Sequence, residues 1–210
     1  MSTDTSSAAK TTQTPEANER RDAILQQSIL TFAELGYRGT DVQVIADRAG
    51  VGKGTVYRHF GTKEELFWTT AFEVFQRMRE HLLAAEQAAS GTIAKLRAAT
   101  RAYGEFFDDN PAYLEVFVQD RAEFRGTGPA EYQQHHEALL NHFVALVEAG
   151  IASGELRPVD ARRTMIALSG FIHGIVVESC YTVHGLPMRE VIEHGVEIFL
   201  AGLQPEGAKA

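Results

Sequence analysis

From Arg21 onward, apolar residues recur along this chain with the spacing of α-helices, and beyond residue 67 no segment carries a strand signal. Leu25, Ser28, Ile29 and Phe32 form a first stripe, which stops at Gly36. The next stripe is Val42, Ile45, Ala46 and Ala49, opened by Thr40 as the expected cap, with Gln43 three residues on as its capping-box partner. Gly50 permits a sharp turn, and a third short helix from about Gly52 to His59 points Val56 and Phe60 back onto the first two. A fourth helix opens at Thr62, with Glu65 completing a second capping box. Residues 1–18, rich in Ser, Thr and Ala, read as a disordered tail.

The periodicity then continues. Trp68, Ala71, Phe72, Phe75 and Leu82 share one face, and Ile93, Leu96, Thr100, Tyr103 and Phe107 share the next. Asn110 is the expected cap of a helix with Pro111 in its first position and Tyr113, Leu114, Phe117 and Phe124 along it. Further helices are expected from about Pro129 to Ala152, Asp160 to Val183 and Pro187 to Leu203. The pattern predicts an all-α protein of about nine helices. A three-helix head at 19–66 is followed by a larger helical unit at 67–205.

The head has the layout of a helix-turn-helix over residues 41–60. Counting from Val42, the small Ala46 is fifth, where two helices touch. Gly50 is ninth, in the turn, and Val56 is fifteenth, facing inward. With Val56 and Phe60 buried, Gly54, Thr55 and Arg58 must face outward, flanked by Lys53 and Tyr57. That mixture of charge, hydroxyl and bare backbone suits base edges and phosphates.

Charge sharpens this reading. The net charge of −8 argues against nucleic acid only until it is divided along the chain. Residues 1–62 balance seven Lys/Arg with seven Asp/Glu, whereas 63–210 hold thirteen and twenty-one. Between Asp47 and Glu64 no acid occurs, while Arg48, Lys53, Arg58, His59 and Lys63 do. The Gly52-Lys53-Gly54-Thr55 run is not a nucleotide P-loop. That motif would require glycine where Asp47 stands and a hydroxyl where Gly54 stands. The single cysteine, Cys180, excludes an intramolecular disulfide framework and suggests a reducing cytoplasm, with a packing role for its side chain. No apolar run approaches the ~20 residues of a bilayer span, and the N-terminus lacks a signal peptide's hydrophobic segment.

The stretch from Ile24 to Phe67, with "GY-x-GT", "IA-x-x-AGV-x-KGT-x-Y-x-HF" and "KEEL", resembles the N-terminal domain of the TetR family of bacterial transcriptional regulators. Gly52 departs from the serine that often caps the recognition helix there. The resemblance implies DNA contacts at Thr40, Lys53, Gly54, Thr55, Tyr57, Arg58, His59 and Lys63. Of these, Thr40, Tyr57, His59 and Lys63 would meet phosphates, and the others would approach base edges. It further implies a cytoplasmic homodimeric repressor that leaves a palindromic operator when a small apolar or aromatic effector binds. Candidates for the effector pocket are Phe72, Phe75, Tyr103, Phe107, Phe117, Phe143, Phe171 and His173.

The eighth helix is apolar nearly all round, which implies burial on more than one side. Gly170 and Gly174 stand four apart on one face of it. With Val191, Ile198 and Phe199 of the last helix, they are the expected dimer interface. His135, His136 and His142 on one helix suggest a metal only weakly, because no H-x₃-H pair occurs there, and no metal or other cofactor is expected. No G-x-S-x-G elbow or recognisable paired carboxylates point to catalysis. A helical enzyme and a DNA binder without any ligand are the alternatives.

Overall fold

A computed structural model describes residues 15–124, 128–179 and 186–205. Those residues fold as α1 (Pro15–Gly39), α2 (Val42–Arg48), α3 (Lys53–Phe60), α4 (Lys63–Ala88), α5 (Thr92–Asp109), α6 (Pro111–Phe124), α7 (Ala130–Ala152), α8 (Ala161–Ser179) and α9 (Met188–Ala201), with no strand among them. Cys180, residues 180–183 of the expected eighth helix, the Phe124 side chain and the first fourteen residues of the expected tail lie outside the described residues. Helix α1 begins at Pro15, inside the segment read as tail, and breaks at Gly36, whose φ of 71° and ψ of 163° end the regular turns.

The head closes around an aromatic core. Phe32 and Phe67 meet edge to face at 5.1 Å, and Tyr37 packs on Phe67 at 5.1 Å. Ile24, Ile29, Ile45, Ala46 and Val56 fill the remaining space and are fully buried. Each large side chain removed from water here contributes about 1.5–3 kcal/mol, which lets helices of only seven and eight residues persist.

One expected cap is corrected by the structure. Asp41, not Thr40, caps α2: its carboxylate accepts from the Gln43 N–H at 2.8 Å. Thr40 is 3% exposed, and both its hydroxyl, at 2.7 Å, and its backbone N–H, at 3.2 Å, donate to the Gly36 carbonyl where α1 breaks. The Gln43 amide reaches forward to Asp47 at 2.7 Å instead of back to a cap. Asn110 stands directly before α6 as expected, its carbonyl accepting from Leu114 N at 3.3 Å, and its Nδ2 also donates to the Phe106 carbonyl of α5 at 2.7 Å. The second capping box is as expected: Thr62 Oγ1 accepts from Glu65 N, and Glu65 Oε2 accepts from Thr62 N at 2.7 Å. Gly61, with φ 78°, is required beside it, because a Cβ there would lie 2.2 Å from Glu65 Oε2.

Helix α4 runs without a break from the head into the larger unit, so the two are joined by a helix and not a linker. Around α4, the larger unit packs α5 between α4 and α9, α7 against α5 and α8, and α6 against α1 and α4. Gly104 of α5 allows α9 to approach until a Cβ would stand 2.6 Å from Arg189 Cα. At the lower end of the bundle, the buried Glu86 accepts from Lys95 Nζ at 2.7 Å and lies 3.2 Å from His142 Nε2, tying α4, α5 and α7 together.

Candidate functional site

Helix α3 turns Val56 and Phe60 inward and leaves Gly54, Tyr57 and Arg58 exposed, with Lys53, Thr55 and His59 half-exposed. No acid lies on α3. Gly54 has open space where a side chain would stand, so a ligand can approach its backbone. Arg58 Nη2 donates to Thr55 Oγ1 at 3.4 Å, one turn apart. Lys53 Nζ donates to Asp41 Oδ1 at 2.8 Å. The Gln43 N–H, followed by Lys53, holds the Asp41 carboxyl below its ordinary range, and Asp41 raises the Lys53 ammonium above its own.

Lys63, in the first turn of α4, lies over the Tyr37 ring at 4.8 Å and donates to the Arg38 carbonyl at 3.4 Å. It is therefore held against α1 rather than swinging free. The His59 ring sits 6.2 Å from that of Phe60. Seven of the eight expected contact residues thus gather on or beside the outer face of α3. Thr40 does not, because its hydroxyl is turned inward. Arg48 is also withdrawn from that face, since it pairs with Glu34 of α1 at 2.7 Å.

A second feature lies between α4, α5, α6, α7 and α8: a cavity of about 150 Å³. Of the expected pocket residues, Phe75, Tyr103, Phe117, Phe143 and His173 line it. Three others do not. Phe72 faces Tyr132 and His135, at 6.3 and 4.9 Å. Phe107 is a layer behind, supporting Tyr103 and Phe117, each at 5.1 Å. Phe171 is 42% exposed, and its ring crosses α9 where a Cβ on Gly195 would meet it at 2.2 Å. Sequence reasoning passed over Met78, His136 and Leu168, all on the wall. Met78 was recoverable as Phe75 plus three; His136 was not, because α7 carries histidines on several faces.

The cavity wall is connected to the head through two helices. Phe117 lies on α6, and Gln119 two residues on donates from Nε2 to the Phe32 carbonyl of α1 at 2.8 Å. Arg38 of α1 pairs with Glu123 at 2.7 Å. Phe75 lies on α4, where Arg77 donates to Gln26 of α1 at 3.4 Å and also to Glu73 and the Tyr113 hydroxyl of α6.

Helices α8 and α9 together expose an apolar face. Ile166, Phe171 and Ile198 are 51%, 42% and 65% exposed. Gly170 and Gly174 are exposed beside them, and a Cβ added at either would meet nothing of the same chain within 4 Å. Val191 and Phe199 are half-buried. Among the described residues, close helix approaches within the chain occur instead at Gly104, Gly150 and Gly195. Among the described residues no three His, Cys, Asp or Glu gather to hold a metal ion, and no helix is long and apolar enough to cross a membrane.

Residues 24–68 match the family described as "Bacterial regulatory proteins, tetR family", and residues 89–203 match "Tetracyclin repressor-like, C-terminal domain". The chain is 28% identical over 151 residues to the uncharacterized HTH-type transcriptional regulator YhgD of Bacillus subtilis, covering 71% of this chain and 78% of that protein. It is 27% identical over 149 residues to the HTH-type transcriptional repressor KstR2 of Mycobacterium tuberculosis, covering 68% and 72%. The solved structure of that ketosteroid transcriptional regulator superposes with a TM-score of 0.67 at 25% identity, over 90% of this chain and 97% of the other. The fatty acid degradation regulator FadR of Bacillus halodurans shares the fold, with a TM-score of 0.73 at 20% identity over 88% and 100%.

Proposed function

This chain belongs to the TetR family of bacterial regulatory proteins, and from that premise we propose that it is a dimeric repressor that a small apolar molecule releases from a palindromic operator. It is a DNA-binding transcriptional regulator and not an enzyme, and regulators of this family bind DNA operators and act as dimers. The single observation carrying the proposal is the pairing of two features in one chain: an acid-free, outward face of α3, and an apolar cavity whose walls are built from the helices that hold the head.

On this reading residues 19–66 are the head and 67–205 the regulatory and dimerisation unit. Lys53, Gly54, Thr55 and Arg58 enter the major groove. Tyr57, His59 and Lys63 meet the phosphates at its edges. The dimer presents two such faces to successive major grooves, about 34–36 Å apart centre to centre. An effector between Phe75 of α4 and Phe117 of α6 favours a packing of those helices that carries α1 and the head out of that spacing. It acts only to the extent that it binds the released state more tightly, typically by ~1–3 kcal/mol.

The test is binding to the duplex upstream of the chain's own gene, titrated with salt. The expected result is sequence-selective binding with affinity falling log-linearly with salt, as counterion release requires. Equal affinity for that duplex and for scrambled DNA would remove the operator reading.

A further inference from the structure

We propose that the cavity takes a neutral apolar molecule of about single-ring size that carries one oxygen function, and that this class contains the effector. The inference rests on the reading of this chain as an effector-released regulator. Size comes first. An apolar cavity of about 150 Å³ lined by such side chains accommodates one benzene-sized molecule. A four-ring steroid skeleton exceeds that volume.

Charge comes second. None of the residues on the wall is Asp, Glu, Lys or Arg. The ion pairs of the larger unit lie elsewhere: Glu86 with Lys95, and Arg97 with Glu197. A carboxylate or ammonium entering the cavity would lose its water, at a cost, and meet no permanently charged side chain on the wall. A neutral ligand escapes that cost.

The oxygen function is argued from the few polar groups present: Thr100, Tyr103, His136, Ser169 and His173. The Thr100 hydroxyl is already committed, donating to the Leu96 carbonyl at 2.9 Å. His136 packs against two rings, Phe75 at 4.0 Å and Tyr132 at 4.7 Å, which also meet each other at 6.0 Å, and the Tyr132 hydroxyl is itself anchored by donating to Asp120 at 2.7 Å. His173 meets the edge of Phe117 at 5.2 Å and shares one face of α8 with Ser169, one turn away. Imidazoles packed in this way have little rotamer freedom left to lose, which favours a polar ligand atom at a defined place. Purely hydrocarbon ligands fill the volume but leave that place unused.

The test uses the full-length chain at pH 8 with four probes of similar size: acetophenone, ethylbenzene, benzoate and 2-phenylethylamine. A four-ring steroid ketone is the size control. Direct binding is read by calorimetry and thermal midpoint, and operator release in a parallel titration. Acetophenone should bind at least ~10-fold tighter than benzoate or the amine, ethylbenzene should fall between, and the steroid should not bind. Ala99→Leu, which grows a side chain into the cavity, should abolish acetophenone binding while operator binding persists. If that variant fails to fold, His136→Phe and His173→Phe made singly serve instead: loss of the acetophenone preference over ethylbenzene in either supports the proposal. Retention in both overturns the oxygen site, and equal or tighter binding of a charged probe or the steroid overturns the class. Acetophenone that binds without loosening the operator leaves the cavity chemistry standing and refutes its role as an effector class. Release by a charged or larger molecule, with acetophenone silent, refutes the class and leaves effector release intact.

Discussion

Arg58 and Asp41 carry opposite expectations at the proposed DNA face. Arg58 is exposed, and its 3.4 Å contact with Thr55 is weak enough to exchange for a base edge. Arg58→Ala should weaken operator binding by ~1–3 kcal/mol and relax preference at one position per half-site, leaving random DNA little affected. Equal losses on both DNAs would make it a phosphate contact. Asp41 has two jobs that separate cleanly: it caps α2 through the Gln43 N–H, and it neutralises Lys53 at 2.8 Å. Asparagine caps as well as aspartate does. Asp41→Asn should therefore keep the fold while freeing Lys53 and removing a charge that repels phosphate, tightening binding to random DNA several-fold at low salt. A nitrocellulose or anisotropy titration at two salt concentrations reads this, and unchanged or weaker binding would mean that the Asp41–Lys53 pair does not face the DNA.

Between helices, the buried Glu86 offers a pH-dependent lock. Lys95 first, and His142 second, hold its carboxyl below the ordinary value of 4.5. A depressed carboxyl contributes stability that is present above the unfolded value and lost as pH falls through the folded one. Glu86→Gln should thus cost roughly 1–3 kcal/mol at neutral pH. The gap to the parent protein should close progressively below about pH 4.5, as seen in urea midpoints measured across that range. A gap independent of pH would show that shape and not charge is what α4, α5 and α7 share there. This lock was not legible in the sequence, because nothing local links residues 86, 95 and 142. What was legible follows the same logic in reverse. The turn at Gly50, the Thr62–Glu65 box and the inward Val56 and Phe60 are set by neighbours within a few residues, and the structure has them as expected. Thr40 and Asp41 were exchanged because both can cap; the break of α1 at Gly36, a tertiary matter, decides between them. Phe171 was misplaced for a different reason. An α8 that is apolar nearly all round gives no clue to which face meets the cavity and which meets α9.

Across the whole molecule, the distribution of charge and the exposed apolar face point the same way. The acid surplus sits entirely beyond residue 62, so a neutral-to-basic head projects from an acidic body. DNA then approaches the head and is repelled elsewhere. The body leaves Ile166, Phe171 and Ile198 in water on α8 and α9, next to Gly170 and Gly174, where a second copy could approach closely. Ile198 is the most informative of these to change, because at 65% exposure it contributes little to its own protomer. Ile198→Asp should leave the helical signal and thermal unfolding of the protomer almost unchanged, since exposed substitutions usually fall within about 0.5 kcal/mol. In a dimer it would bury two unpaired carboxylates across the two-fold axis, at a cost of several kcal/mol. Sedimentation should then report monomers at concentrations where the parent is dimeric. Operator affinity should fall by ~10²–10⁴, because the second half-site no longer binds as a linked event. Random-DNA binding by each head, which needs no partner, should persist with its salt dependence. An Ile198→Asp protein that sediments as a dimer and holds its operator normally would move the interface off this face of α9.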